Sequence, residues 1–192
     1  MARVNSYTGE MPTPDRTSLD QIVLAARELL ERDGLAGLTM QAVAHRVGVR
    51  APSLYKRVPG RDGLIRLVAE ATLAELAERL DPEDDAARLA GIFRAFGHEY
   101  PAGFQLVMTP GAGTPVAADE FGAAASEAVL RVAGRLAGEE HALDAARLFT
   151  AWAAGFIGME LNGNFRLGGD LEGAWAFGVQ RIVAAMSVGA QR

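Results

Sequence analysis

The stretch Thr39-Met40-Gln41-Ala42-Val43-Ala44-His45-Arg46-Val47-Gly48-Val49-Arg50-Ala51-Pro52-Ser53-Leu54-Tyr55-Lys56-Arg57-Val58 decides how the chain folds. It opens on a residue that can cap a helix, places Met40, Val43, Ala44 and Val47 at helical spacing, breaks at Gly48 and restarts at once. That pattern predicts two short helices joined by a tight glycine turn. The i, i+4 geometry of the second helix sets Leu54 and Val58 against the first and leaves Ser53, Tyr55, Lys56 and Arg57 on other faces. A short helix held from behind and presenting hydroxyls and cations in front suits insertion into a DNA major groove.

Two helices this short cannot bury a core unaided, so the flanks must supply one. Upstream, Ser18 with Gln21 three residues on reads as a capping box. Leu19, Ile22, Val23, Ala26, Leu29 and Leu30 then form a stripe at helical spacing that ends at Gly34. Downstream, Pro59 and Gly60 punctuate, and a long helix begins near Arg61. Leu64, Leu67, Val68 and Ala71 make one stripe of it, with Ile65, Leu73, Leu76 and Leu80 around to the side. A helix apolar on two sides touches two bodies. Residues 1–16, with Pro12 and Pro14 and no apolar period, read as a disordered arm whose Arg3 and Arg16 have no assigned role.

In order and spacing, Ala42-Val43-Ala44 through Val47-Gly48-Val49, then Ser53-Leu54-Tyr55, then Arg61-Asp62-Gly63-Leu64 closely resembles the amino-terminal domain of the TetR family of transcriptional regulators. The resemblance implies a helix-turn-helix DNA-binding domain over residues 17–79 and a larger effector-binding and dimerisation domain over 80–192. It also implies that the Arg61 helix links the two, so that a ligand can move the reading heads. The DNA-facing set is then Thr39, Gln41, Arg50, Ala51, Pro52, Ser53, Tyr55, Lys56, Arg57 and Arg61. Gln41, Ser53 and Arg50 would reach base edges, since Gln pairs with adenine and Arg with guanine. Arg50, Lys56, Arg57 and Arg61 would take phosphates, Arg61 standing where the family commonly has a lysine, and Tyr55 would rest on a phosphate or a thymine methyl. Pro52 sits early in its helix, where a missing N–H matters least. Val58 replaces the family's usual aromatic residue and keeps the hairpin apolar.

Charge agrees with this placement. The net charge is −5, yet residues 45–66 hold Arg46, Arg50, Lys56, Arg57, Arg61 and Arg66 against Asp62 alone. A basic patch on an acidic body is an electrostatic footprint for phosphate. The absence of cysteine excludes disulfides and thiolate metal sites, and no secretory leader or long apolar run appears. The expectation is a cytoplasmic protein.

The remainder predicts an all-α fold: no stretch of convincing β period occurs. Residues 83–100 form an amphipathic segment with Leu89, Ile92, Phe93 and Phe96 on one face, stopped by Pro101. A short turn of helix with Phe104, Val107 and Met108 follows, then the loop from Pro110 to Pro115, whose Gly111-Ala112-Gly113 lacks the pattern of a phosphate cradle. An alanine-rich helix spans about Val116 to Gly138, and two long segments, Ala142–Leu161 and Leu171–Val188, read as antiparallel neighbours. Trp152, Gly155, Glu160, Gly163 and Phe165, with Tyr100-Pro101 and Phe104 before them, resemble a TetR subgroup named for a Trp-His-Gly signature. Ala154 replaces the signature histidine, so no imidazole role carries over.

Phe93, Phe96, Tyr100, Phe104, Met108, Phe149, Trp152, Phe156 and Met159 are candidates to line a cavity for a small apolar or aromatic effector. Glu160 reads equally as a surface residue at a helix edge or as part of a pocket or interface. Trp175, Gly178, Val179, Ile182, Ala185 and Met186 are the expected homodimer interface, the small ones allowing close approach. His45, His98 and His141 are too scattered for a metal site, and no cofactor is expected. Ser126 and Ser187 lack the setting of a nucleophile, so an enzyme on this scaffold would have no catalytic constellation. The sequence thus points to a ligand-responsive repressor that binds a palindromic duplex operator as a dimer, with a helical enzyme or a ligand-free DNA-binding dimer on the same scaffold as the alternatives.

Overall fold

The computed structural model describes residues 18–187, so the amino-terminal arm and Val188 lie outside the described residues. Nine α-helices and no strand occur among them: α1 (Leu19–Gly37), α2 (Met40–Arg46), α3 (Ala51–Leu54), α4 (Arg61–Leu80), α5 (Ala86–Glu99), α6 (Pro101–Met108), α7 (Asp119–Ala137), α8 (Ala142–Leu161) and α9 (Leu171–Ser187). A single 3-10 turn, Glu139–His141, leads into α8.

Local chemistry sets the boundaries. Ser18 caps α1 by accepting from Gln21 N at 3.1 Å while the Gln21 side chain accepts from Ser18 N, the expected reciprocal box. Gly34 departs from helical geometry at φ +67°, as its place in the sequence predicts, but one further turn continues to Gly37. Asp85 caps α5 through Arg88 N, and Pro101 starts α6 rather than merely ending α5.

The buried side chains form two clusters. Ile22, Ala26, Leu29, Leu38, Val43, Leu54, Val58, Leu64, Ile65 and Val68 lie in the one under α1 to α4, joined by Leu106 of α6. Leu76, Leu80, Leu89, Phe93, Phe96, Phe104, Phe149, Ile157, Trp175 and Val179 lie in the other, under α4 to α9. Helix α4 therefore gives its first half to the reading head and its second to the body, with Ile65 on the head side. The α8–α9 pair is antiparallel: Trp152 meets Trp175 and Gly178, while Glu160 and Glu172 share Arg94.

Candidate functional site

In the reading head, Thr39 caps α2 by accepting from Ala42 N at 3.1 Å, and Gly48 makes the turn at φ +73°, a region that favours glycine. The second helix is shorter than its sequence pattern suggests. Only Ala51–Leu54 is α-helical; Arg57 N and Val58 N then both donate to Leu54 O at 2.8 Å, a tightened end that still brings Val58 under the hairpin. Leu54 and Val58 are completely buried, and Pro52, Ser53, Tyr55, Lys56 and Arg57 stand exposed, Tyr55 at 58 %. Gln41 and Arg50 are also exposed, with Thr39 and Ala51 half-buried beside them.

Arg46 and Arg61 of the basic stretch are engaged within the chain. Arg46 pairs with Glu28 of α1 at 2.5 Å. Arg61, expected on a phosphate, donates Nε to Leu38 O at 2.9 Å and a terminal nitrogen to Leu35 O at 2.6 Å. The end of α1 leaves carbonyls without helical partners, and a cation opposite them is favourable. Arg61 therefore ties α4 to the α1–α2 connection, a role that sequence order alone does not reveal.

Among the cavities in the body, one of about 220 Å³ is lined by Leu73, Leu76, Leu80, Leu89, Phe93, Val107, Met108, Gly122, Ala125, Ser126, Val129, Phe149 and Thr150. Of the expected pocket residues it includes Phe93, Met108 and Phe149. The others serve elsewhere. Phe96 is fully buried against Tyr100, their rings 5.2 Å apart, and Phe104 packs on Phe93 at the same distance while its other side borders a cleft with Ala154 and Gly158. Tyr100 lies at the head–body junction between the guanidinium groups of Arg27 and Arg79, 5.1 and 5.3 Å from its ring centre. Trp152 and Phe156 close on Trp175 and Phe165 in a filled aromatic group. Met159 faces out, 44 % exposed.

Glu160 takes a third role that neither earlier reading contains. Its side chain is only 10 % exposed and accepts from Arg94 at 2.6 and 2.9 Å and pairs with His98 at 2.9 Å. Arg94 also binds Glu172 and lies over the Trp175 ring, so one guanidinium ties α5, α8 and α9 together. The Arg94 hydrogen bonds hold the Glu160 carboxyl below the usual carboxylate range against the opposing effect of burial.

The expected interface is also corrected. Trp175, Val179 and Met186 are buried in the body and Ile182 packs against it, because α9 lays this face on its own chain. At Gly178 a Cβ would sit 2.1 Å from Trp152 Cζ2, so the close approach it permits is to α8 of the same chain. Only Ala185 of the set is exposed. The open face instead holds Leu148, Ala151, Gly155 and Met159 of α8, and Ala174 and Phe177 of α9, Phe177 at 60 % exposure. No helix among the described residues is long and apolar enough to cross a membrane.

Comparison with known proteins agrees with this geometry. Residues 22–68 match the family described as "Bacterial regulatory proteins, tetR family", and residues 86–182 match "Tetracyclin repressor-like, C-terminal domain". An HTH-type transcriptional regulator of Mycobacterium tuberculosis is 32% identical over 172 residues, covering 84% of this chain and 78% of its own. The class E tetracycline repressor protein of Escherichia coli is 36% identical over 67 residues, 35% of this chain and 32% of its own. Among solved structures, a TetR of Acinetobacter baumannii in complex with minocycline superposes with a TM-score of 0.65 at 25% identity, over 88% of this chain and 96% of its own. The reading head, the two-sided α4 and these matches together show a DNA-binding transcriptional regulator of the TetR family, to which this chain belongs.

Proposed function

We propose that the protein is a repressor that binds a palindromic operator as a homodimer and is released from it by a small apolar effector. The observation that carries this reading is the row Pro52, Ser53, Tyr55, Lys56 and Arg57, exposed while Leu54 and Val58 lock the same segment from behind. We divide the chain near residue 79, at the end of α4, into head and body. Lys56, Arg57 and Arg50 take phosphates with the Thr39 hydroxyl, and Gln41 and Ser53 read base edges. One such head covers too few base pairs to select a site in a genome, so two copies are needed. The exposed row Leu148, Ala151, Gly155 and Met159, at i, i+3 and i, i+4 spacing beside Phe177, is the face on which α8 and α9 meet a second copy.

The cavity beside Phe93, Met108 and Phe149 is the effector site in this reading. Its lining is apolar apart from the hydroxyls of Ser126 and Thr150, and about 220 Å³ lies below the roughly 300–1,000 Å³ of drug-sized sites. The guest is therefore a compact, weakly polar molecule. The minocycline complex of a structural neighbour and the repressor names of other relatives support the same class of behaviour.

Selection of bound duplexes from a random pool tests the reading. The selected site is expected to be a palindrome with half-sites about 34–36 Å apart, and log affinity to fall with log salt by about 0.9 per phosphate contacted. Lys56→Ala weakens all sequences alike and lowers that slope by about one phosphate, whereas Gln41→Ala relaxes preference at one position. A selected site without symmetry, or binding indifferent to salt, overturns the reading.

A further inference from the structure

Helix α1 grips the body at a point the cavity does not include. Arg27 and Glu31 stand one turn apart on the same face of α1. The Glu31 carboxylate accepts from Ala102 N at 2.9 Å and Gly103 N at 2.8 Å, the first-turn amides of α6. Such amides have no acceptor within their own helix, and α6 has no side-chain cap of its own. A carboxylate from a distant helix supplies it, with the charge favoured at a helix N-terminus. Beside it, Arg27 bonds Glu75 of α4 and lies over the Tyr100 ring, and Arg79 covers that ring from α4 while bonding Glu75 and Glu99. Tyr100, which joins α5 to α6, and the first turn of α6 are thus held by side chains of α1 and α4.

We propose that Arg27 and Glu31 are positioning residues that clamp the reading head to the α5–α6 junction and so fix the orientation in which the head meets DNA. This rests on the reading of the protein as a regulator whose head binds DNA. The fit is close at the contact: a Cβ on Gly103 would come within 3.1 Å of Glu31 Oε1, tighter than ordinary contact. Helix α6 joins the two clusters, since Leu106 packs in the head core while Val107 and Met108 line the body cavity. A shift of α6 at the cavity must either carry α1 with it or break the Glu31 cap. A head oriented in advance loses less freedom on binding, so release of the clamp weakens the operator complex without removing a DNA contact.

The test uses the full chain with Glu31→Ala and Glu31→Gln, amide exchange across Tyr100–Met108, and affinity for the duplex selected by the wild-type protein. Because Glu31 is the acceptor for Ala102 and Gly103, the Ala variant is expected to speed exchange at these amides while the Leu106–Met108 amides keep their protection. Operator affinity should fall by about 5-fold or more, the lower end for coupled sites. The salt slope stays the same, because no phosphate contact is lost. The Gln variant, which keeps one acceptor oxygen without the charge, falls between, and serves as the test if the Ala variant does not fold. Unchanged exchange at Ala102 and Gly103, or faster exchange with undiminished operator affinity, overturns the proposal. The exchange measurement needs no DNA, so failure of the wild-type protein to select any duplex would count against the DNA-binding reading and not against the clamp.

Discussion

In the reading head, the residues that face the core are separated by residues that cannot: Leu54 and Val58 are completely buried, with Tyr55, Lys56 and Arg57 between them exposed. In the last two helices, apolar or small residues occur on every side. Helix α9 buries Trp175 and Val179 yet exposes Phe177, and α8 buries Phe149 and Ile157 yet exposes Leu148 and Met159. Hydrophobic periodicity identifies a buried face only where the opposite face is polar. Where both faces are apolar, one covers the chain's own core and the other a partner, and spacing alone does not say which.

The sharpest way to break this comparison is to place a carboxylate on each side of the pair. Val179→Asp puts an unpartnered charge into the body core, an effect of about 3–5 kcal/mol that consumes much of a typical domain's stability. It is expected to lose the cooperative thermal transition. Met159→Asp, on the open face, should leave the circular dichroism spectrum intact and shift the sedimenting species to a monomer. If Val179→Asp is instead a folded monomer and Met159→Asp an unchanged dimer, the Trp175 and Val179 face of α9 is the one that meets a second copy.

A smaller effect separates ion pairs of the two regions. Arg94→Leu leaves Glu160 nearly buried with only His98 beside it, and should cost about 1–3 kcal/mol in urea unfolding. Arg46→Ala in the head removes an exposed pair with Glu28 and should cost about 0–1 kcal/mol. Acid titration sharpens the contrast. The folded Glu160 carboxyl is lowered chiefly by its Arg94 hydrogen bonds, so its stabilisation is present above the unfolded value of about 4.3 and lost as pH falls through the folded value. The wild-type protein is therefore expected to lose stability below about pH 4 more steeply than Arg94→Leu. Equal acid limbs would remove Glu160 as a contributor.

The same contrast explains what was legible beforehand. The all-α class, the capping box at Ser18, the two helices around Gly48 and the two-sided α4 follow from caps, glycine turns and stripes, all of which are local. Of the thirteen residues lining the cavity, the aromatic and Met pattern names three, Phe93, Met108 and Phe149, while Leu73, Leu76 and Leu80 are visible as the side stripe of α4 without an indication of what they face. Arg61, Glu31 and Glu160 were not legible in these roles. Their partners are 23 to 72 residues away, at Leu38, Gly103 and Arg94 among others, and a charged residue at a helix edge looks the same whether it meets water, phosphate or a distant helix end.

The most local effect concerns Thr39, where the structural and functional roles of the head meet. Its hydroxyl oxygen accepts from Ala42 N, which leaves the hydroxyl proton to donate to a phosphate. Thr39→Ala removes both roles and should lower stability by about 0.5–2 kcal/mol. Thr39→Asp keeps an oxygen for Ala42 N and adds a charge that the start of α2 favours, so its melting temperature should match the wild type. On DNA the order reverses: the aspartate has no proton to give and sets a negative charge beside the phosphates, so it should bind operator more weakly than the alanine. Melting curves and operator titrations of the two variants decide this together. If Thr39→Asp melts and binds like the wild-type protein, Thr39 is a helix cap alone, and the edge of the DNA-facing surface begins at Gln41.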